Sequence, residues 1–193
     1  MTNKRQQTQK LVLGAIMTAL VIILQLVGSF TTFFGPFSTA VALIPIVLGA
    51  AMCGTAIGAW LGFVFGMVVI LSGGAALFFA FDVPGTIITV LFKGTLCGLA
   101  AGLVYKLHSK INQYFAVLIS AIVCPLVNTG IFLLGCYIFF MDSAKDIAAT
   151  LGLTASGMGV FWALAMGNFA LEIISNAVLS PVVVRVLNFN KNK

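Results

Sequence analysis

Charged side chains are the scarcest class of residue in this sequence, and their scarcity limits what kind of protein it encodes. They make up 7% of the 193 residues, with four aspartates and glutamates in all, whereas 61% of the residues are hydrophobic. The mean hydropathy is +1.18. Apolar runs of about 17–25 residues are long enough to cross a bilayer as helices. This composition excludes a water-soluble monomer and predicts one integral domain over residues 1–193, a multi-pass protein of the cell membrane.

The motifs of common enzymes are missing as well. The sequence has no GxxxxGK[ST] loop for phosphates, no HExxH and no GxSxG. Its four cysteines form no CxxC pair, so neither a metal site nor a disulfide is predicted. The single histidine, His108, lies in a basic loop, which excludes a chain of histidines through the membrane. We therefore expect no enzyme activity, no metal and no cofactor, and ATP hydrolysis would belong to other chains.

Six apolar runs predict an all-α fold of six transmembrane helices. The second run is short, and its link to the third, Gly49–Gly54, is so tight that these two helices should form a hairpin. The runs cover about residues 11 to 28, 38 to 50, 54 to 72, 85 to 105, 114 to 140 and 159 to 187.

Basic residues in the short loops predict the orientation of these helices, because such residues favour the cytoplasmic side. Both termini are expected to be cytoplasmic, with outer loops at residues 29 to 37, 72 to 84 and 141 to 158. Because the basic residues lie at the ends of the apolar runs, nucleic acid is not an expected partner. The inner side would carry Lys4, Arg5, Lys10, Lys106, Lys110, Arg185, Lys191 and Lys193, and the outer side Lys145.

Two charges lie deep inside apolar runs, Lys93 in the fourth and Glu172 in the sixth. A charge at the bilayer centre costs at least ~2.5 kcal/mol, so such residues usually face a partner, a cavity or a ligand. Asn168, Glu172 and Asn176 recur at intervals of four and share one helix face. Lys93 and Glu172 therefore either face a ligand or pair with each other as a structural bridge.

Further polar and aromatic residues fall near the same depth. Pro125 leaves the carbonyl of Ala121 without its helical donor one turn before Asn128, which favours a polar pocket in the outer half of the bundle. Each candidate has a structural alternative: hydrogen bonds between helices for the asparagines, an interfacial anchor for Trp162, lipid contact for Phe34, and an ion pair with Lys93 for Asp82. The predicted lining consists of Lys93, Asn128, Asn168, Glu172, Trp162, Phe34 and Asp82.

Small residues recur at helical spacing on three of the predicted helices. Such faces let helix backbones approach closely where lipid removes any hydrophobic drive between helices. Ala15 and Ala19 form one pair of this kind on the first helix. The longer rows are Gly54, Gly58, Gly62 and Gly66 on the third helix, and Gly94, Gly98 and Gly102 on the fourth.

The order of these features resembles the S component, the substrate-binding subunit, of energy-coupling factor (ECF) vitamin transporters. A basic N-terminus leads into LGAIMTAL at residues 13–20, followed by FGPFSTAVALIPIVLG at residues 34–49. The glycine-rich third helix, Pro84 with Gly85 and Thr86, and the helix with Lys93 and Gly94 then follow in order. The resemblance covers nearly the whole chain and implies a six-helix bundle in a prokaryotic plasma membrane.

The resemblance also implies a mechanism and partners. The S component would bind a water-soluble vitamin from the outside and dock on a transmembrane coupling subunit (T component), and two cytoplasmic ATPases would supply the energy. Ala15 and Ala19 match the family's AxxxA motif, which contacts the coupling subunit. The sequence is most similar to pantothenate-type members, with riboflavin, folate, or a pyrimidine or pyridoxine precursor as competitors. A stand-alone secondary transporter using Glu172 for protons, and a membrane enzyme or structural protein, are the rival hypotheses.

Overall fold

The computed structural model describes residues 3–31, 42–154 and 156–191, and the side-chain surroundings of residues 7–29, 42–154 and 156–185. The described residues form eight α-helices and no strand. The helices are α1 (Asn3–Thr31), α2 (Leu43–Cys53), α3 (Thr55–Leu71), α4 (Ala76–Phe79), α5 (Val83–His108), α6 (Gln113–Phe139), α7 (Ala144–Leu151) and α8 (Met158–Lys191).

The six predicted helices correspond to α1, α2, α3, α5, α6 and α8, which confirms an all-helical membrane protein. Within the described residues, four of these helices are long and apolar enough to cross a membrane, namely α1, α5, α6 and α8. The other two, α2 and α3, are apolar but have 11 and 17 residues. The predicted start of the second helix, residues 38–41, lies outside the described residues. Two short helices, α4 and α7, were not predicted and lie in the expected outer loops.

Two asparagine or aspartate caps fix where the long helices begin. The side chain of Asp82 accepts a hydrogen bond from the Gly85 amide at 3.2 Å, and so caps α5. Asn112 does the same for α6, with the amide of Tyr114 donating to it at 2.8 Å. Capping side chains satisfy amides that the first helical turn leaves without a partner. These caps therefore fix the first residues of α5 and α6.

The link between α2 and α3 is a single residue, Gly54, with a φ of 103°. That value lies in the region that glycine adopts at no steric cost. The chain then folds back so that Gly58 packs on Ala50, where an added Cβ would come within 2.7 Å of the alanine Cβ. Gly49 likewise faces Leu61. The two helices therefore pack antiparallel as the predicted hairpin.

Glycines bring the backbones of α3 and α5 into direct contact. Cβ atoms added at Gly58, Gly62 and Gly94 would overlap the carbonyl groups of Gly98, Gly94 and Gly62, respectively. An added Cβ on Gly66 would lie 2.9 Å from the carbonyl oxygen of Val90. These contacts confirm that both glycine rows pack within the molecule, where close approach gains dispersion contacts that lipid cannot supply.

Two apolar clusters fill the bundle. The larger joins α1, α2, α3 and α5 to the first half of α6 and the last part of α8, with Val21, Ile46, Leu61 and Cys97 fully buried. The smaller joins the end of α6 to α7 and the start of α8 through residues such as Phe140, Ile147 and Phe161. Between these clusters, α6 and α8 run side by side and carry polar residues inward.

The backbone contact predicts that Gly62 tolerates no side chain. Gly62→Ala should lower the free energy of unfolding by about 1–3 kcal/mol, because the new methyl group overlaps the backbone of α5. Gly130→Ala is the matched control, since an added Cβ there meets nothing within 4 Å. That control should be neutral or stabilising by up to about 1 kcal/mol, because alanine favours helices over glycine. Thermal unfolding in detergent measures both, and equal melting temperatures would contradict the packing argument.

Candidate functional site

A cavity of ≈ 340 Å³ opens beside α4, between α6, α7 and α8. Small-molecule sites in proteins are commonly clefts of about 300–1,000 Å³ with a few polar groups in an apolar wall. This cavity fits that description, since its wall mixes apolar side chains with three polar ones from α6 and α8 and one carboxylate. It is lined by Gly73, Gly74, Ala76, Leu77, Phe78, Asn128, Thr129, Phe132, Leu151, Leu164, Ala165, Asn168 and Glu172.

The deepest polar groups of the cavity wall are Asn128 and Glu172, which are 5% and 7% exposed. The Asn128 Nδ2 atom donates to both carboxylate oxygens of Glu172, at 3.4 Å each. Asn128 Oδ1 is buried and accepts no hydrogen bond from the described residues. A buried acceptor without a donor costs about 1–3 kcal/mol. The pair therefore offers a ligand acceptor positions that are already desolvated.

Helical spacing explains why these residues meet. Asn168 and Glu172 are one turn apart on α8, and both line the cavity as the sequence predicted. The next residue of that row, Asn176, is buried and donates through Nδ2 to the carbonyl oxygen of Glu172 at 2.9 Å. Asn176 therefore contacts the backbone of α8 next to the site, and it does not line the cavity.

Lys93 lies behind the cavity wall. Its Nζ atom is 5.4 Å from the ring centroid of Phe132. Phe132 lines the cavity, whereas Lys93 does not. Among the described residues no ion pair within 4 Å joins Lys93 to Glu172, and their opposite charges interact at longer range. The lysine therefore contributes a positive potential near the cavity, and the direct structural bridge is not formed.

Aromatic side chains form the wall next to α4. Phe78 of α4 packs edge-on against Phe132 and Phe140, with centroid distances of 5.4 and 5.1 Å. Phe78 and Phe132 are not among the residues that the sequence predicts for this wall. Phe132 follows Asn128 by one helical turn, and that spacing was the available signal for it. Phe78 comes from a four-residue helix that no periodicity announces.

Three predicted lining residues are placed elsewhere or lie outside the description. Trp162 is 50% exposed, because it is one residue, roughly 100° of helix rotation, past the buried Phe161. Asp82 caps α5 and does not line the cavity, so its role in the described fold is to fix a helix start. Phe34 lies outside the described residues. The structure thus brings together Asn128, Asn168 and Glu172, places Lys93 nearby, and corrects the placement of Trp162 and Asp82.

Ala15 and Ala19 are both exposed on α1. The opposite face of this helix packs inward, with Met17 and Val21 buried and Gly14 against Ile57. The two alanines therefore present a shallow strip on the surface of the bundle, within the described part of the chain.

A family model described as "ECF transporter, substrate-specific component" matches residues 9–184, which is nearly the whole chain. No curated protein and no solved structure matches this chain. The family match spans α1 to α8 and includes every residue of the cavity wall.

A double-mutant cycle tests the pairing at the deep end of the cavity. Asn128→Leu should lower the free energy of unfolding by about 1–3 kcal/mol, because it leaves the Glu172 carboxylate buried without a donor. Adding Glu172→Met should recover most of that loss, since replacing both partners by apolar groups is nearly neutral. Thermal unfolding in detergent supplies the numbers. Strictly additive losses in the double variant would mean that the two side chains do not interact.

Proposed function

Because this chain belongs to the substrate-specific component family of ECF transporters, we propose that it binds a water-soluble vitamin in the cavity formed by α4, α6, α7 and α8. The family consists of substrate-binding transporter subunits of the membrane. The observation that supports the cavity is the meeting of Asn128, Asn168 and Glu172 in one wall, two of them buried. Polar groups are costly inside a membrane protein, and a ligand that needs them explains their presence.

Pantothenate is the substrate that we favour, as expected from the sequence. Its hydroxyl and amide groups bring hydrogen-bond donors, which match the carboxylate of Glu172 and the unoccupied Oδ1 of Asn128. Its apolar dimethyl centre suits the rings of Phe78 and Phe132. Its carboxylate gains from the positive potential of Lys93, provided that this end of the ligand lies on the Phe132 side.

The orientation in the membrane follows from where the charges lie along the helices. Lys106 and His108 are in the last turn of α5, whereas α4, beside the cavity, precedes the first turn. With basic ends inside, both termini are cytoplasmic and the cavity opens outward. In this proposal α2 and α3 complete the six membrane helices, and their shorter lengths are accommodated by packing within the bundle.

Transport requires partners in this scheme. The family implies association with a transmembrane coupling subunit and two ATPase subunits. We propose that Ala15 and Ala19 form part of the surface for the coupling subunit, since two exposed small residues one turn apart let a partner helix approach the backbone of α1.

A stand-alone secondary transporter is the second candidate, and the buried carboxylate of Glu172 is the observation in its favour. Such a protein would take up substrate with no ATPase present. Co-purification decides between the two: an ECF subunit brings down a coupling subunit and two ATPases, and a secondary transporter does not.

Ligand binding to the detergent-purified protein is the direct test. Titration calorimetry against pantothenate, riboflavin, folate, pyridoxine and hydroxymethylpyrimidine should give one ligand that binds below the micromolar range. Lys93→Met should weaken an anionic ligand by about tenfold or more, because the loss of about 1.4 kcal/mol of charge attraction has that effect. If no vitamin binds, the proposed function is wrong. Unchanged affinity in Lys93→Met would instead remove only the lysine from the site.

The docking surface has a separate test. Ala15→Trp should abolish uptake of the vitamin by cells that also express the coupling subunit and ATPases, because the indole holds the partner away from α1. Binding to the purified variant should equal that of the wild type. Ala170→Trp, at an exposed position of α8, is the control and should transport normally. Normal uptake by Ala15→Trp would refute the docking surface and leave the vitamin site untouched.

A further inference from the structure

A second cavity, of ≈ 220 Å³, lies at the other end of α5. Four elements meet there: the first part of α1, the end of α2, the start of α3 and the last turns of α5. Its lining consists of Lys10, Ala50, Ala51, Met52, Cys53, Gly54, Thr55, Gly102, Tyr105, Lys106 and Ser109. Neither the proposed vitamin site nor the docking surface at Ala15 and Ala19 includes this cavity.

Within the described residues, no carboxylate lines the cavity beside its two lysines. The chain has four acidic residues, and none of them lines the cavity. Asp82 caps the opposite end of α5, roughly 36 Å from Lys106 at 1.5 Å per residue. The other three lie around α7 or beside the vitamin cavity. The exposed ammonium groups of Lys10 and Lys106 are therefore available to an anionic ligand from outside this chain.

The remaining polar groups of the lining also suit an anion. Thr55 and Tyr105 each contribute a hydroxyl group that can donate a hydrogen bond, and the Ser109 hydroxyl, which donates to the carbonyl oxygen of Lys106 at 3.4 Å, would have to turn to do so. Thr55 is the first residue of α3, and no side chain caps this helix start, so its free amides add to the positive end of the helix. Two ammonium groups and several hydroxyl donors are the groups that bind phosphate oxygens.

The depth of the cavity indicates where such a phosphate comes from. Lys10 lies near the start of the membrane-crossing segment Gln7–Ser29, and Lys106 near the end of the segment Val83–His108. This is the level of lipid headgroups. Apolar side chains on the neighbouring surface are exposed, with Leu11 and Leu107 67% and 73% accessible. Acyl chains running down from a headgroup would cover such side chains.

We propose that this cavity binds the phosphate headgroup of an anionic phospholipid, with Lys10 and Lys106 as its charged contacts. The lipid then joins α1 to α5 at the end of the bundle where the short link between α2 and α3 leaves a gap. Basic pockets between helices on the cytoplasmic side have the chemistry that anionic headgroups require. This site stands independently of the vitamin site, because it shares no residue with it.

The experiment compares lipids on the full-length protein. Native mass spectrometry of detergent-purified protein, titrated with phosphatidylglycerol or phosphatidylcholine of the same chain length, should show selective retention of phosphatidylglycerol. Lys10→Gln with Lys106→Gln should weaken that retention by about tenfold or more, since each lysine near an anionic lipid contributes about fivefold. Lys110→Gln is the matched control, because Lys110 is exposed at the same end but does not line the cavity.

Each arm has a result that would overturn the proposal. Equal loss of lipid in the Lys110→Gln control would mean that general surface charge, and no defined site, holds the lipid. A stabilising shift in melting temperature with inorganic phosphate as large as that with phosphatidylglycerol would assign the cavity to a soluble phosphate. Retention unchanged in the double variant would also refute it, and a thermal unfolding transition of that variant like that of the wild type verifies its fold.

Discussion

The backbone contact between α3 and α5 is the constraint on which the rest of the structure depends. Lipid offers helices no hydrophobic reward for associating, so close packing of small residues has to hold them together. Gly62 and Gly94 meet through their backbones, and Gly58 and Gly98 repeat the contact one turn away. Because this contact fixes α5 against the hairpin of α2 and α3, it also fixes the two ends of α5, next to which the two cavities lie.

The other half of the molecule is built on a different principle. α6 and α8 also pack together, but polar side chains stand between them, with Asn128 donating to Glu172 across the interface. A hydrogen bond in a dry interior is stronger than in water, and a missing partner is correspondingly more costly. The glycine contact between α3 and α5 therefore supplies a rigid frame. The interface between α6 and α8 keeps acceptor groups desolvated and available. Because packing and polar groups lie in different helix pairs, a chain with few polar residues can still form a binding site.

Much of this arrangement could be predicted from the sequence, and each part that could not be predicted has a physical reason. Long apolar runs and the row of Asn168, Glu172 and Asn176 show helical periodicity, so the six longer helices and the buried polar residues of α8 were predictable, whereas the short α4 and α7 were not. Trp162 lies outside the cavity wall because a single-residue offset turns a side chain by roughly 100°, and this position agrees with the alternative of an interfacial anchor. Asp82 was read as a charge, but its position two residues before Pro84 is that of a helix cap.

The α4 wall of the vitamin cavity was beyond sequence reasoning for a physical reason. α4 has four residues and none of them is buried, so neither length nor periodicity marks it as an element. It is held where it is by the edge-on contacts of Phe78 with Phe132 and Phe140. Phe132 in turn carries Lys93 on its other side. Within the part of the chain that the structure describes, Lys93 is thus linked to the α4 wall of the cavity through one aromatic ring. Any ligand that displaces Phe132 changes both the shape of the cavity and the reach of its positive charge.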